Sequence, residues 1–236
     1  MADPRVIVAL DYADAVTARA FVKRVTPALC RLKVGMELFT AAGPDLVAHL
    51  ASQGFDVFLD LKYHDIPTTV ARACTQAAGL GVWMVNVHTL GGRHMLAAAR
   101  EAIDHSGHRP ILVGVTVLTS HGDDELAEIG LERSVERQVE HLAILASEAH
   151  LDGVVCSPRE AALLRRRFGK DFLLVTPGVR QSTDDRDDQH RTRTPAEAVA
   201  DGADYLVIGR PVTHAPDPVA ALDAIRREIE AARDNT

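Results

Sequence analysis

The chemistry in this chain gathers around a short stretch, Asp60-Leu61-Lys62-Tyr63-His64-Asp65. Side chains at i and i+2 of a strand share a face, so Asp60 and Lys62 point one way and Leu61 the other. A lysine held among carboxylates stays protonated. It is then a compact fixed positive charge and a proton donor at once, suited to a carbanion or an oxyanion. Asp11 follows an apolar run at the N-terminus, Val6-Ile7-Val8-Ala9-Leu10, and Lys33 lies within another, Leu32-Lys33-Val34-Gly35. Any one of these residues read alone is a structural salt bridge. As a set at the ends of apolar runs they form a mutually neutralising array, because a buried charge is costly unless paired. A second set is suited to phosphate: Thr176-Pro177-Gly178-Val179-Arg180 and Val207-Ile208-Gly209-Arg210 each end an apolar run with glycine and arginine. Glycine lets backbone N–H groups approach an anion, and arginine adds a forked, permanently charged donor.

These residues need a frame that brings distant segments to one mouth. Val- and Ile-rich runs at Val6–Leu10, Leu32–Gly35, Val57–Leu61, Met84–His88, Ile111–Val117, Gly153–Ser157, Phe172–Thr176 and Tyr205–Gly209 read as strands. Helical patterns such as Ala13–Val25, Pro67–Ala78, Met95–His105, Val135–Ala149 and Pro158–Phe168 alternate with them. Strands alternating with helices imply parallel βαβ units, and near-continuous apolar strands imply a sheet covered on both faces. Eight such units in 236 residues predict a single α/β domain over residues 1–236, a closed (β/α)8 TIM barrel. An open doubly wound sheet is the alternative that pattern leaves open. In a barrel the Asp60/Lys62 face is the lumen, and the loops after strands seven and eight are the usual phosphate site. The stretch 181–193, QSTDDRDDQHRTR, is a polar loop on that mouth with the composition of a lid.

Bulk properties narrow the function. The formal charge is −7, which argues against a nucleic-acid partner while permitting a local cationic site for a phosphorylated small molecule. Cys30, Cys74 and Cys156 are far apart, so neither a zinc site nor a disulfide framework is expected, but buried thiols in a reducing compartment. No apolar run approaches the ~20 residues of a membrane span, and the N-terminal run lacks a signal peptide's cationic lead. A cytoplasmic enzyme with no membrane partner is expected. Trp83 and Met84 read as barrel packing. His64 reads as structural, and His88 ends strand four on the luminal side within reach of the charged array.

The stretch Asp60-Leu61-Lys62-Tyr63-His64-Asp65-Ile66-Pro67-Thr68-Thr69 is similar to the DxKxxDIPxT signature of the orotidine 5′-phosphate decarboxylases. The resemblance extends through Ala9-Leu10-Asp11-Tyr12, Leu32–Phe39, Val115–Ser120, Thr176–Arg180, Asp188-Gln189 and Ile208–Thr213, with no departure at a position that family uses for ligand or catalysis. It implies decarboxylation of orotidine 5′-phosphate (OMP) to UMP and CO2 with no metal or organic cofactor. It implies that Asp11 and Lys33 bind the ribose hydroxyls, that Asp60 sits against the substrate carboxylate, and that Lys62 protonates C6. Thr119 would contact the pyrimidine, with Ser120 a weaker neighbour. Arg180, Gln189, Gly209 and Arg210 would hold the phosphate. Asp65 and Thr69 would reach the neighbouring site of an obligate homodimer. Two other readings remain. One is a Mg²⁺-dependent sugar-phosphate decarboxylase of the same superfamily, which carries an acidic residue where this chain has Lys33. The other is a barrel that binds phosphate without catalysis.

Overall fold

Short β-branched runs closed by glycine or by a charged residue make the strands of this chain. The computed structural model describes residues 4–179 and 193–234. Among them eight strands close into a barrel in chain order. They are β1 (Val6–Ala9), β2 (Arg31–Gly35), β3 (Val57–Tyr63), β4 (Met84–His88), β5 (Ile111–Val115), β6 (Gly153–Val155), β7 (Leu173–Thr176) and β8 (Tyr205–Ile208). Every neighbouring pair is parallel, and Val6 lies opposite Leu206 where β1 meets β8. That closure excludes the open doubly wound alternative. The expected strands are all present, with their ends moved by at most two residues.

The helices are α1 (Ala15–Val22), α2 (Met36–Ser52), α3 (Pro67–Gly79), α4 (Gly92–Asp104), α5 (Asp123–Glu128), α6 (Val135–Glu148), α7 (Pro158–Phe168), α8 (Pro195–Ala200), α9 (Arg210–Thr213) and α10 (Pro218–Asp234). Alternation along the strands divides the core in two. Val8, Val34, Leu59, Val85, Leu112, Val154, Leu174 and Leu206 face outward into the layer the helices cover. Ile7, Ala9, Phe58, Met84, Val113, Val175 and Val207 fill the lumen as a separate cluster. Leu61 packs against the outer layer, on the side opposite Asp60 and Lys62.

Two details shape the barrel below the mouth. At its N-terminal end Arg31 is buried and pairs with Asp56 at 3.1 Å. Its guanidinium lies 4.3 Å from the Trp83 ring centre and 4.9 Å from that of Tyr205. This cation–π stack seals the floor, and Trp83 and Met84 are packing residues as expected. Between β6 and β7, a Cβ on Gly153 would lie 2.1 Å from the Leu173 carbonyl oxygen, so only glycine allows that approach. Cys30, Cys74 and Cys156 are buried reduced thiols. Burial pushes Cys30 and Cys74 up to about 12, away from thiolate chemistry.

Candidate active site

Above the Arg31 floor, the luminal faces of β1, β2 and β3 carry their charged side chains toward the C-terminal ends. Lys33 stands beside Ala9 and Phe58 in register, above the apolar lumen. Asp60 and Lys62 continue the Phe58 face of β3, and Asp11 lies two residues beyond β1. The four side chains form one chain of ion pairs. Lys33 Nζ is 3.2 Å from Asp11 Oδ1 and 3.3 Å from Asp60 Oδ2, and Lys62 Nζ is 2.7 Å from Asp60 Oδ1. Asp60 is thus shared between two ammonium groups. Gly35 makes room for this, since a Cβ there would lie 3.1 Å from Lys33 Nζ.

Burial and charge compete at these groups. Desolvation works to raise the Asp60 pKa, but Lys33 and Lys62 outweigh it, and the carboxyl is held below the usual range. Desolvation works to lower Lys33, but Asp60 and Asp11 outweigh it, and the ammonium is held above its usual value. Both residues are therefore charged around neutral pH. Lys62 is the more accessible of the two ammonium groups, with a quarter of its side chain exposed against 11% for Lys33.

The array opens on a cavity of about 520 Å³, within the range of small-molecule sites. Thr119 from the loop after β5 lines it, as do Pro177, Gly178 and Val179 after β7 and Gly209 and Arg210 after β8. Gly178 has a positive φ of 78°, a conformation that glycine adopts without strain. Its carbonyl accepts from the Arg193 N–H at 3.3 Å, and Val179 bridges to Arg193. Arg180 and Gln189 lie outside the described residues.

The structure departs from the expected convergence of three aspartates. Asp65 is exposed, and its Oδ1 accepts from the next backbone N–H, that of Ile66, at 2.7 Å. The loop between β3 and α3 carries it past the mouth, so one chain brings together only Asp11 and Asp60. Thr69 on α3 and Ser120 are exposed as well. His64 is exposed, with its ring centre 5.6 Å from that of His88. Burial, with help from His64 and Lys62, lowers His88 to about 4, so its ring is neutral beside the array.

Sequence reasoning missed several residues of the site. Asn86, fully buried on the luminal face of β4, donates to Asp60 Oδ1 at 2.7 Å. Its signal was a lone amide in the otherwise apolar run Met84–Val87. His214 and Val155 also line the cavity. They carry no spacing signal, because the barrel alone brings them there.

Comparison with known proteins agrees with this geometry. The sequence profile described as "Orotidine 5'-phosphate decarboxylase / HUMPS family" matches residues 4–225. A protein of Nitrosomonas eutropha named orotidine 5′-phosphate decarboxylase is 57% identical over 232 residues, covering 98% of this chain and 100% of its own. One of the same name from Nitrosospira multiformis is 55% identical over 234 residues, covering 99% and 97%. The crystal structure of orotidine 5′-phosphate decarboxylase from Lactobacillus acidophilus superposes with a TM-score of 0.86 at 39% identity, covering 96% of this chain and 99% of that one. With Asp60 and Lys62 of its signature set on the mouth of a closed barrel, this chain belongs to the orotidine 5′-phosphate decarboxylase / HUMPS family.

Proposed function

We propose that the chain decarboxylates orotidine 5′-phosphate to UMP and CO2, the last step of de novo pyrimidine nucleotide synthesis. The observation that carries this reading is the Asp11–Lys33–Asp60–Lys62 array, which presents one accessible ammonium to the cavity. When the C6–carboxylate bond breaks, its electron pair stays on C6 in the plane of the ring. No adjacent carbonyl or imine can accept it. A fixed positive charge at C6 is what such a carbanion requires, and the Lys62 ammonium supplies it. Lys62 then gives a proton to C6, and solvent returns one to the amine. Asp60 holds the Lys62 ammonium in an ion pair at 2.7 Å and lies against the departing carboxylate, which carries its charge only until it leaves as CO2.

The rest of the cavity holds the nucleotide. Asp11 and Lys33 bind the ribose hydroxyls, Thr119 meets the pyrimidine, and Gly209 and Arg210 take the phosphate with Arg180 and Gln189. Phosphate binding far from C6 supplies energy that can be used to organise the reacting end. The working form is a homodimer in which Asp65 and Thr69 serve the neighbouring site. Supporting this, Met36, Ile66 and Leu90 follow β2, β3 and β4 at the mouth and are 56%, 67% and 42% exposed. Apolar side chains exposed after three neighbouring strands are suited to burial against a second subunit. The reaction uses no metal or organic cofactor: the charge a metal would supply comes from Lys62, and Lys33 stands where a divalent cation would need a carboxylate. Buried reduced thiols accord with a reducing compartment, the cytoplasm. No helix among the described residues is long and apolar enough to cross a membrane.

The test is conversion of OMP to UMP and CO2 by the purified chain before and after dialysis against EDTA. Equal activity in both samples is expected. Activity lost to EDTA and restored by Mg²⁺, or turnover of a sugar phosphate instead of OMP, would move the chain to the metal-dependent branch. Binding of OMP without turnover would leave a non-catalytic barrel.

A further inference from the structure

Lys62 has a positive φ of 52°, a conformation rare outside glycine. The cause lies in the ladder between β3 and β4. Leu59 pairs with Val85 and Tyr63 with Val87, so three residues on β3, Asp60 to Lys62, face a single residue on β4. That residue is Asn86. A bulge of this kind leaves backbone groups without ladder partners, and each needs another partner when buried. Here the Lys62 N–H donates to Asn86 Oδ1 at 2.8 Å, while Asn86 Nδ2 donates to Asp60 Oδ1 at 2.7 Å. The amide orientation follows from chemistry. Reversed, it would set an NH2 against the Lys62 N–H and an oxygen against a carboxylate. Asn86 is fully buried, so no exposed surface explains a polar side chain there.

We propose that Asn86 is a positioning residue of the decarboxylation. Its carboxamide holds the Lys62 backbone in the left-handed conformation that aims the ammonium, and fixes the Asp60 carboxylate with a neutral donor. The inference rests on the functional reading above and deepens it. Asp60 Oδ1 is shared by the Asn86 amide and the Lys62 ammonium, and Asp60 Oδ2 faces Lys33. With Asn86 supplying one of the donors Asp60 needs, Lys62 keeps ammonium hydrogens to direct at the substrate. A charged donor in that place would add a third cation to the array. An apolar side chain would leave both the Lys62 N–H and one carboxylate lone pair unmet.

The test compares wild type with Asn86→Leu, close in size with neither function, and Asn86→Asp, which keeps the acceptor for the Lys62 N–H and loses the donor. We expect Asn86→Leu to lower kcat on OMP about 100-fold, as expected when a reacting group is misplaced, with KM changed less than about threefold. Asn86→Asp sets a second carboxylate beside Asp60, so the acid limb of its kcat–pH profile should move to higher pH. A purely structural role would lower thermal stability and leave kcat per folded site and the pH profile unchanged, and that result overturns the inference. Should Asn86→Leu not fold, the pH profile of Asn86→Asp decides alone. Wild type that leaves OMP unconverted overturns the functional reading and the inference with it. Active wild type with variants that match it overturns the inference only.

Discussion

Lys62 is constrained by three things at once: the Asp60 carboxylate at its ammonium, Asn86 at its N–H, and a left-handed backbone between them. Part of that was legible in the sequence. The two-residue spacing of Asp60 and Lys62 fixes a common face whatever the fold. The bulge was not legible, since it arises from the register between β3 and β4 rather than from any local pattern. For the same reason the role of Asn86 was hidden in a strand whose neighbours are all apolar. Asp65 shows the opposite limit: its position just past the end of β3 suggested convergence, yet the turn into α3 leads it away from its own array.

The neutral His88 gives a stability prediction. Its folded pKa is about 4 against an ordinary 6.5, so between those values the unfolded chain binds more protons at this site. Stability should therefore be full above pH 6.5 and fall as the pH drops toward 4, by on the order of 1–2 kcal/mol once solvent screening is allowed for. Protonation of Asp60, whose folded pKa is lowered, extends the loss below that window. Urea unfolding across pH 4–7 measures the slope, and His88→Phe should flatten it. A variant with the same slope as wild type would remove His88 as its source.

The eight strands were plain in the sequence because parallel strands buried on both faces are nearly continuous apolar runs. The short helices α5, α8 and α9 were not, because segments of four to six residues carry too little periodicity. Two glycines test how these elements hold the site. Gly153→Ala would force β6 from β7 at the Leu173 carbonyl, so we expect a loss of about 3 kcal/mol or a failure to fold, read by thermal denaturation. Gly35→Ala presses a methyl toward Lys33 Nζ. It should lower kcat/KM on OMP about tenfold, equivalent to ~1.4 kcal/mol, with little change in Tm. The reverse pattern, stability lost and kcat/KM kept, would show that Gly35 serves packing alone.

At the scale of the whole molecule, the barrel separates two tasks. The β1–β4 end holds the charged array, and the β7–β8 end brings Gly209 and Arg210 to the same cavity, where the proposed function puts the phosphate. Arg210→Ala should then cut kcat/KM on OMP by roughly 2–4 kcal/mol, typical of losing one partner of a desolvated charge pair, and leave the phosphate-free nucleoside orotidine almost unaffected. An equal loss on both substrates would place Arg210 in the fold or the base site instead. Ile66→Glu puts a charge on the exposed apolar rim and should yield a monomer in analytical ultracentrifugation with much reduced activity. A fully active monomer would remove Asp65 and Thr69 from the neighbouring site.

The central claim is that one ammonium, held by carboxylates at the mouth of the barrel, carries the reaction. It is tested most directly by kcat for Lys62→Ala on OMP, with the fold checked by circular dichroism. The variant loses both the charge at C6 and the proton donor, so kcat should fall at least about 1,000-fold, equivalent to ~4 kcal/mol, in a folded protein. A folded variant that retains more than about a tenth of the wild-type kcat, a loss under ~1.4 kcal/mol, would contradict the assignment of Lys62.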